Sequence, residues 1–440
     1  MSTLLDRTTF TTSRLLDFFS EKELTAQIGH DREYWPIVIL KELVDNAIDA
    51  CEDAGIAPVV SVEVNKSGFT VKDNGTGIPT ETIEGMLDYS IRVSSREAYV
   101  SPDRGAQGNA LKTLVAMPYV LNGEQGRITI TACGTCHDIT VELDRIRQEP
   151  RIQHETASSG KNGTTVTLHW PDLACSIDEY TKSRFLQVAR DFAFLNPHLT
   201  LSVKAFGTRM NFAATDTAWK KWLPSYPTSA HWYTPDHLAR LIAGYIGHDA
   251  DREHERTVRE FVSEFRGLSS TGKQKKVLDE LGLSRSPLST LTTDGAMDMD
   301  MVAHLLDSMK EQSKEPKATA LGMIGRDHMW AKLKEYDESA VEDSFDYRKK
   351  AYIDDGVPRV VESAFCYLPE QEHRQLITGV NWSAGIINPF RELGKYGSSL
   401  DSVLSEARAG VDEPVALILH LSCPRIRYAD RGKSAVIVEG

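Results

Sequence analysis

The sequence predicts an α+β protein in three parts: a large mixed layer over residues 1–205, a small helical insert over 230–300, and a second mixed layer over 310–440. Three observations carry that prediction. Helix and strand patterns alternate through the first part, with two hairpins among the strands. From Pro235 to Leu283 only short helical patterns occur, punctuated by Gly267, Gly272 and Gly282. Strand-like runs then return at Val357–Leu368, Gln375–Trp382 and Val415–Ser422. Hairpin-rich sheets covered by helices on one face make α+β layers, and 440 residues are enough for two or three separate cores.

Taken in order, Tyr34–Ala54 has the apolar spacing of a long helix. Val59–Val64 and Phe69–Lys72 alternate as two strands about a Lys66-Ser67-Gly68 turn, and Ile128–Ala132 with Asp138–Leu143 forms a second hairpin. Thr164–Trp170 is a strand that Pro171 ends, Arg184–Phe194 a helix and Leu199–Val203 a strand. Ser289–Asp300 is polar and turn-rich and predicts a loop, and Leu400–Arg408 predicts a helix between the last two strands.

Composition excludes several classes. A net charge of −13 rules out a polycation that coats nucleic acid, so any DNA contact must come from a local basic face. No apolar run reaches membrane-spanning length, and Met1–Arg14 lacks a signal-peptide core, so a cytoplasmic protein is expected. Cys51, Cys133, Cys136, Cys175, Cys366 and Cys423 are scattered, and most lie in apolar patterns typical of buried thiols. Cys133-Gly-Thr-Cys136-His137 has the spacing of a haem attachment site, but a hairpin turn at Gly134 accounts for it better.

Four motifs carry chemistry. On the first helix, Glu42, Asn46 and Asp49 fall at i, i+4 and i+7 and share one face, opposite Leu40, Leu43, Val44, Ala47 and Ile48. Directly after a strand comes Asp73-Asn74-Gly75-Thr76-Gly77-Ile78-Pro79. A carboxylate there can accept from an exocyclic amine, and the glycines let backbone approach a ligand closely. Arg104-Gly105-Ala106-Gln107-Gly108-Asn109-Ala110-Leu111-Lys112 is a glycine-bearing loop that opens a helix, suited to phosphate, with Lys112 as an added charge. It lacks the Gly-Lys-Ser/Thr ending of a Walker loop. Gly163-Thr164 opens the strand that follows.

In this order and spacing the four motifs resemble the GHKL (Bergerat-fold) ATPases, which include gyrase B, Hsp90, MutL and the histidine kinases. The resemblance implies an ATP-binding sandwich and Mg-ATP as ligand. It implies Glu42 as the general base, Asn46 as the Mg²⁺ ligand, and Asp73 with Thr164 at the adenine. Asp49, Gly75, Gly77 and Ile78 complete that wall, with Gly77 under the base. Gly105, Gln107, Gly108 and Asn109 form a lid on the phosphates, with Lys112 in contact. Ala110 stands where many relatives have a third lid glycine, which puts the kinetics of closure in question.

Within the superfamily the chain looks most like the B subunit of DNA topoisomerase VI, a type IIB enzyme. Ser94-Ser95-Arg96, Arg104-Gly105 and Gly163-Thr164-Thr165-Val166 with Trp170-Pro171 carry the likeness near the site. Val258-Arg259-Glu260-Phe261 resembles the helix-two-turns-helix insert. Val360-Val361-Glu362-Ser363-Ala364 and His420-Leu421-Ser422 resemble the transducer domain. Arg425 to Lys433 resembles the loop of the switch lysine, expected at Lys433 with Arg431 as competitor. Where relatives continue into a long helix that binds the DNA-cleaving partner, this sequence ends at Gly440, which leaves open a piece of such a chain or a divergent member.

The resemblance therefore implies an ATP-gated homodimeric clamp on double-stranded DNA, with cleavage on a separate A-type partner that has a Toprim domain and the tyrosine. Asp298-Met299-Asp300 has Toprim-like spacing but lacks the strands of such a site. Arg252, Arg256, Arg259, Arg266, Lys273, Lys275 and Lys276 of the insert either touch DNA or form a salt-bridged surface among Asp251, Glu253, Glu255, Glu260 and Glu264. The alternative function is a GHKL switch in DNA repair, defence or chaperone work without topoisomerase activity. A histidine kinase is disfavoured, because no phosphoacceptor helix pair precedes the ATP motifs.

Overall fold

The computed structural model describes residues 18–89, 99–104, 110–144, 146–147, 149–160, 163–170, 177–250, 255–392, 398–429 and 435–437. The first part is a sheet of eight strands covered by helices. In chain order these are α1 (Glu21–Ile28), α2 (Trp35–Asp53), β1 (Val59–Asn65), β2 (Gly68–Lys72), α3 (Thr80–Met86) and α4 (Ala110–Asn122). There follow β3 (Gly126–Ala132), β4 (Thr135–Asp144), β5 (Glu149–Ser158), β6 (Thr165–His169), α5 (Glu179–Leu195), β7 (Thr200–Ala205) and β8 (Thr208–Phe212). The strand order is β5-β4-β3-β6-β2-β1-β7-β8, and only β1 and β7 pair in parallel.

The expected hairpins form where turn chemistry permits. Cys133 and Gly134 both take positive φ between β3 and β4, the signature of a tight two-residue turn. That turn leaves Cys133 exposed and Cys136 half-buried, while Cys51, Cys366 and Cys423 are buried. Strands β5 and β8 were not anticipated. Their residues are mostly exposed on both faces, so no apolar alternation marks them, and pairing with a neighbouring strand alone makes them strands.

The helical insert comprises α6 (Pro235–Ala250), α7 (Val258–Ser263), α8 (Thr271–Asp279), the short hairpin β9 (Thr292–Thr293) and β10 (Ala296–Met297), and α9 (Met299–Gln312). Helix α9 corrects the loop expected over Ser289–Asp300. After the hairpin, the Asp298 carboxylate accepts from the Met301 N–H as an N-cap, and Val302, Leu305, Leu306 and Met309 are buried on one face. Asp298 is thus a structural cap. Of the basic residues, Arg256 pairs with Asp249 and Glu264 and lies over the Tyr245 ring, and Arg266 lies over Trp222. Lys273, Lys275 and Lys276 are exposed on α8.

The last part contains α10 (Arg326–Tyr336), β11 (Asp346–Asp354), β12 (Val357–Tyr367), β13 (Gln375–Val380), β14 (Ser383–Ala384), α11 (Leu400–Glu406) and β15 (Val415–Ser422). The five strands run β11-β12-β15-β13-β14. Among the described residues no helix is long and apolar enough to cross a membrane.

Helix α5 is the shared wall between the two sheets. It packs on β7 and α2 on one side and on β13, β14 and α10 on the other. From Asp191 to Leu195 every residue is buried. A Cβ on Gly379 of β13 would come within 2.4 Å of the Leu195 side chain, so the C-terminal sheet sits directly on this helix. One apolar core accordingly runs from Phe19 to Ile418 through all three parts, and a smaller one lies under α11.

Asp191 is the odd member of that wall. It is 1% exposed, and among the described residues neither carboxylate oxygen has a hydrogen-bond partner. Burial raises its carboxyl to about 7, against the lowering influence of Arg184 and Arg190. The neutral acid is the form the fold accepts, so stability falls as pH rises from the unfolded carboxyl's range to about 7 and stays low above it. Asp191→Asn should therefore melt roughly 2–4 °C above wild type at pH 8, with the difference gone by about pH 4, as thermal denaturation at both pH values will show.

Candidate functional site

The site is built where α2 crosses the ends of β2 and β6. Helix α2 starts with Pro36 in its first turn and buries Ile37, Leu40, Val44, Ala47 and Ile48 against the sheet. That burial fixes its rotation and leaves two polar stripes side by side. Glu42 and Asn46 form the first, both half-buried. The Asn46 Nδ2 is shielded from solvent and has no hydrogen-bond partner among the described residues, which is costly unless something else supplies one.

Asp73 stands at the end of β2, 6% exposed. Its Oδ1 accepts from the Gly75 N–H at 2.8 Å and from the Thr164 N–H at 3.0 Å, and its own N–H donates to the Thr164 carbonyl at 2.9 Å. Burial raises this carboxyl, and the backbone donors of Thr164 and Gly75 oppose the rise. Gly163 makes the approach possible. It has φ +77, and a Cβ there would meet the Asp73 carbonyl oxygen at 2.2 Å. Gly77, at φ +94, packs on the β3–β4 turn, where a Cβ would meet Cys133 Sγ at 2.8 Å. Ile78 is half-buried against the core, and Asn74 ties this loop to the end of α2 and the start of β1, its Oδ1 accepting from the Cys51 thiol at 3.2 Å and from the Val59 N–H at 2.8 Å.

The structure thus brings Glu42, Asn46, Asp49, Asp73, Gly75, Gly77, Ile78 and Thr164 onto α2 and the adjoining strand ends. Two expected ligand residues are committed elsewhere. Asp49 binds the Arg104 guanidinium at 2.5 Å, and Lys112 donates to the Asp88 carbonyl at 2.5 Å and is 3% exposed, with burial lowering its ammonium. Gly105, Gln107, Gly108 and Asn109 lie outside the described residues, as do Arg431 and Lys433. The residues flanking the last pair are described: Tyr428 bridges Val436, and the Val436 N–H donates to the Pro389 carbonyl at 2.7 Å. Tyr428 is near enough to Asp103, Cys423 and Asp45 for these groups to add to the rise that burial causes in its phenol. The described end of this segment at Tyr428 is therefore near Asp45 of α2.

The second stripe on α2 was missed in the sequence. Asp45, Asp49 and Glu52 share a face with Lys41 one turn earlier. Arg104 enters this face with a fully buried side chain, contacting Asp49 at 2.5 Å, Glu52 at 2.6 and 2.8 Å, and Asn196 at 2.6 Å. Lys221 adds a contact to Glu52 at 3.0 Å, and His198 another at 2.9 Å. Burial alone would raise the Glu52 carboxyl, but Arg104 and Lys221 hold it well below the usual range, while burial keeps the His198 imidazole below its ordinary value. Lys41 bonds Asp45 and Ser383 at 2.7 Å each. The i, i+4, i+7 carboxylates were visible in the sequence and Lys41 lies on the same helix, but Arg104 is 52 residues from Glu52 and Lys221 farther still, so those two cations had no local signal.

Residues 33–174 match the family model described as histidine kinase-, DNA gyrase B-, and HSP90-like ATPase. This part of the chain is a GHKL-type ATPase domain. Over 423 residues the chain is 24% identical to the B subunit of Type 2 DNA topoisomerase 6 from Metallosphaera sedula, covering 90% of this chain and 74% of that protein. It is likewise 24% identical over 421 residues to the protein of that name from Archaeoglobus fulgidus, covering 91% and 66%. The ATPase region of Saccharomyces cerevisiae topoisomerase II aligns over 91% of this chain and 76% of its own, with 12% identity and a TM-score of 0.42.

Two substitutions test the construction of the site. Gly163→Ala should lose nucleotide binding while the rest of the chain stays folded, because β6 must retreat from Asp73; equilibrium binding with circular dichroism measures both. Arg104→Met should cost about 3–5 kcal/mol, since it takes the bonded cation from buried Asp49 and one of the two cations from Glu52, and chemical denaturation reads that loss.

Proposed function

We propose that the chain is the ATP-binding and hydrolysing component of a type IIB, topoisomerase VI-like DNA topoisomerase. In this reading two copies close on nucleotide as a clamp around double-stranded DNA in the cytoplasm. A separate A-type partner with a Toprim domain and the tyrosine cuts and rejoins one duplex. The observation that carries the reading is the extent of the similarity to the topoisomerase 6 proteins, about nine tenths of this chain, well beyond the ATPase domain. We assign residues 1–205 to the ATP-binding domain, 230–300 to a helix-two-turns-helix-like domain and 310–440 to a transducer-like domain. Lys273, Lys275 and Lys276 are the candidates for phosphate contact without sequence readout.

The residues present fit Mg-ATP. The Asn46 Nδ2 is shielded from solvent and has no partner among the described residues, so it can donate to a phosphate oxygen and leave Oδ1 for a cation, and Asp73 is a carboxylate fixed by backbone donors at a strand end. Mg²⁺, when bound, supplies positive charge against the phosphate oxygens. Asn46 would hold it through the amide oxygen. Asp73 accepts from the adenine amine, with Thr164 beside it. Glu42 takes the proton from the attacking water. Gly75, Gly77 and Ile78 line the base. Gly105, Gln107, Gly108 and Asn109 offer backbone N–H groups to the phosphates. Asp49 serves the nucleotide through Arg104, and Lys112 reaches phosphate only by leaving the Asp88 carbonyl. Lys433, with Arg431 as the alternative, is the switch cation that stabilises charge at the transferring phosphoryl group.

The deciding experiment compares ATPase activity of wild type and Glu42→Ala with and without long duplex DNA. Expected are DNA stimulation in the wild type and a loss of roughly 10²–10⁴-fold in the variant. Cross-linking with a non-hydrolysable ATP analogue should trap a dimer. ATP hydrolysis indifferent to DNA, with no nucleotide-dependent dimer, would instead identify a GHKL switch outside topoisomerase chemistry.

A further inference from the structure

Among the described residues, the turn between β13 and β14 is the one place where two consecutive non-glycine residues take positive φ. Asn381 has φ +49 and Trp382 φ +64, two consecutive left-handed residues without a glycine, and the second is a fully buried tryptophan. Such backbone costs about 1–2 kcal/mol per residue and persists only where its surroundings impose it. Here they do so heavily. Asn381 donates to the carbonyls of Asp103 and Cys423 at 3.1 and 3.0 Å and accepts from the Cys423 N–H at 2.9 Å. The Trp382 N–H donates to His420 Nε2 at 3.0 Å, and His420 Nδ1 faces Glu362 at 3.6 Å. The Trp382 carbonyl accepts from Asn196 Nδ2 at 2.9 Å.

The next residue, Ser383, is what this turn delivers. Its Oγ donates to Asp45 Oδ2 at 2.6 Å and accepts from Lys41 Nζ at 2.7 Å, and Lys41 closes the triangle on Asp45 at 2.7 Å. Lys41 and Asp45 are i, i+4 on α2, one residue before Glu42 and Asn46, which are also i, i+4. The C-terminal sheet therefore grips the helix in the very turn that carries the assigned base and Mg²⁺ ligand. Among the described residues no hydrogen bond joins it to Asp73 or Thr164, which are held instead by β2, β6 and the loop at Gly75.

We infer that Ser383 and Lys41 are positioning residues for ATP hydrolysis. Through Asp45 they set the register of α2, so that Glu42 is aligned only when the C-terminal sheet is seated, whereas adenine binding is independent of that seating. The inference rests on the assignment of Glu42 as base. A rigid helix transmits a shift at 41 and 45 undiminished to 42 and 46, and a displacement of about 1 Å at a reacting group can cost on the order of 100-fold in rate.

Single-turnover hydrolysis of radiolabelled ATP by the full chain tests this, with nucleotide affinity taken from the enzyme-concentration dependence. Ser383→Ala should slow hydrolysis about tenfold with affinity within twofold of wild type. Ser383→Thr, which keeps the hydroxyl, should restore most of the rate. Lys41→Met should slow hydrolysis similarly, and the double variant should be no slower than the slower single one, since both act through Asp45. A wild-type rate in Ser383→Ala overturns the inference, as does a parallel loss of rate and affinity, or effects that multiply in the double variant. Glu42→Gln in the same assay separates the two claims: a near-wild-type rate there strikes the base assignment, while loss there beside a normal Ser383→Ala rate strikes the positioning role alone.

Discussion

The architecture depends on a buried set of charges around Arg104. Lys41, Arg104 and Lys221 face Asp45, Asp49 and Glu52 with little solvent between them. Removing such ions from water costs several kcal/mol each, and mutual attraction recovers this only in a closely matched geometry. An apolar plug of the same volume would serve stability as well or better. The charges do something a plug does not: each of their bonds has one permitted direction. Helix α2, the segment at residue 104, the end of α5 at Asn196 and the linker at Lys221 can meet in one arrangement only.

That constraint shapes the rest. Apolar burial places α2, α4 and α5 on the large sheet, but burial is tolerant of small rotations and slides. The buried bonds remove that tolerance where the nucleotide residues sit. The face of α2 next to Glu42 and Asn46 is tied to Arg104 and Ser383, and the Asp73 carboxylate is tied to two backbone donors across β6. The proposed base and the proposed adenine ligand are therefore anchored by different parts of the molecule, Asp45 beside the first by the C-terminal sheet and Asp73 by the backbone at residues 75 and 164. The strained Asn381–Trp382 turn belongs to the same logic, since it exists to reach α2 and is held by every element around it.

Much of the local structure was legible. The α2 helix, the β1–β2 and β3–β4 hairpins and the three C-terminal strands follow from periodicity and turn residues, because their apolar faces are buried and their turns need particular backbone angles. Of the strands that escaped notice, β5, β8 and β11 are edge strands with little buried surface. Helix α9 escaped because a polar turn precedes it, although Asp298 and the Val302, Leu305, Leu306, Met309 spacing were present.

The sequence by itself determined the identity of the nucleotide motifs, their order, and the elements that carry them. Each of these depends on residues within a few positions of one another, where helix pitch, strand alternation and glycine conformations decide the outcome. Only the tertiary structure decided which polar groups on α2 stay available. Asp49 reads as a ligand in the sequence and is an ion-pair partner in the fold, and Lys112 is turned to the Asp88 carbonyl. Asp45, Glu52, Lys221 and Ser383 carry no motif, yet they fix the site's geometry. The reason is physical: a buried charge takes its role from the nearest opposite charge in space, and for Asp45 that space is shared with a serine 338 residues away.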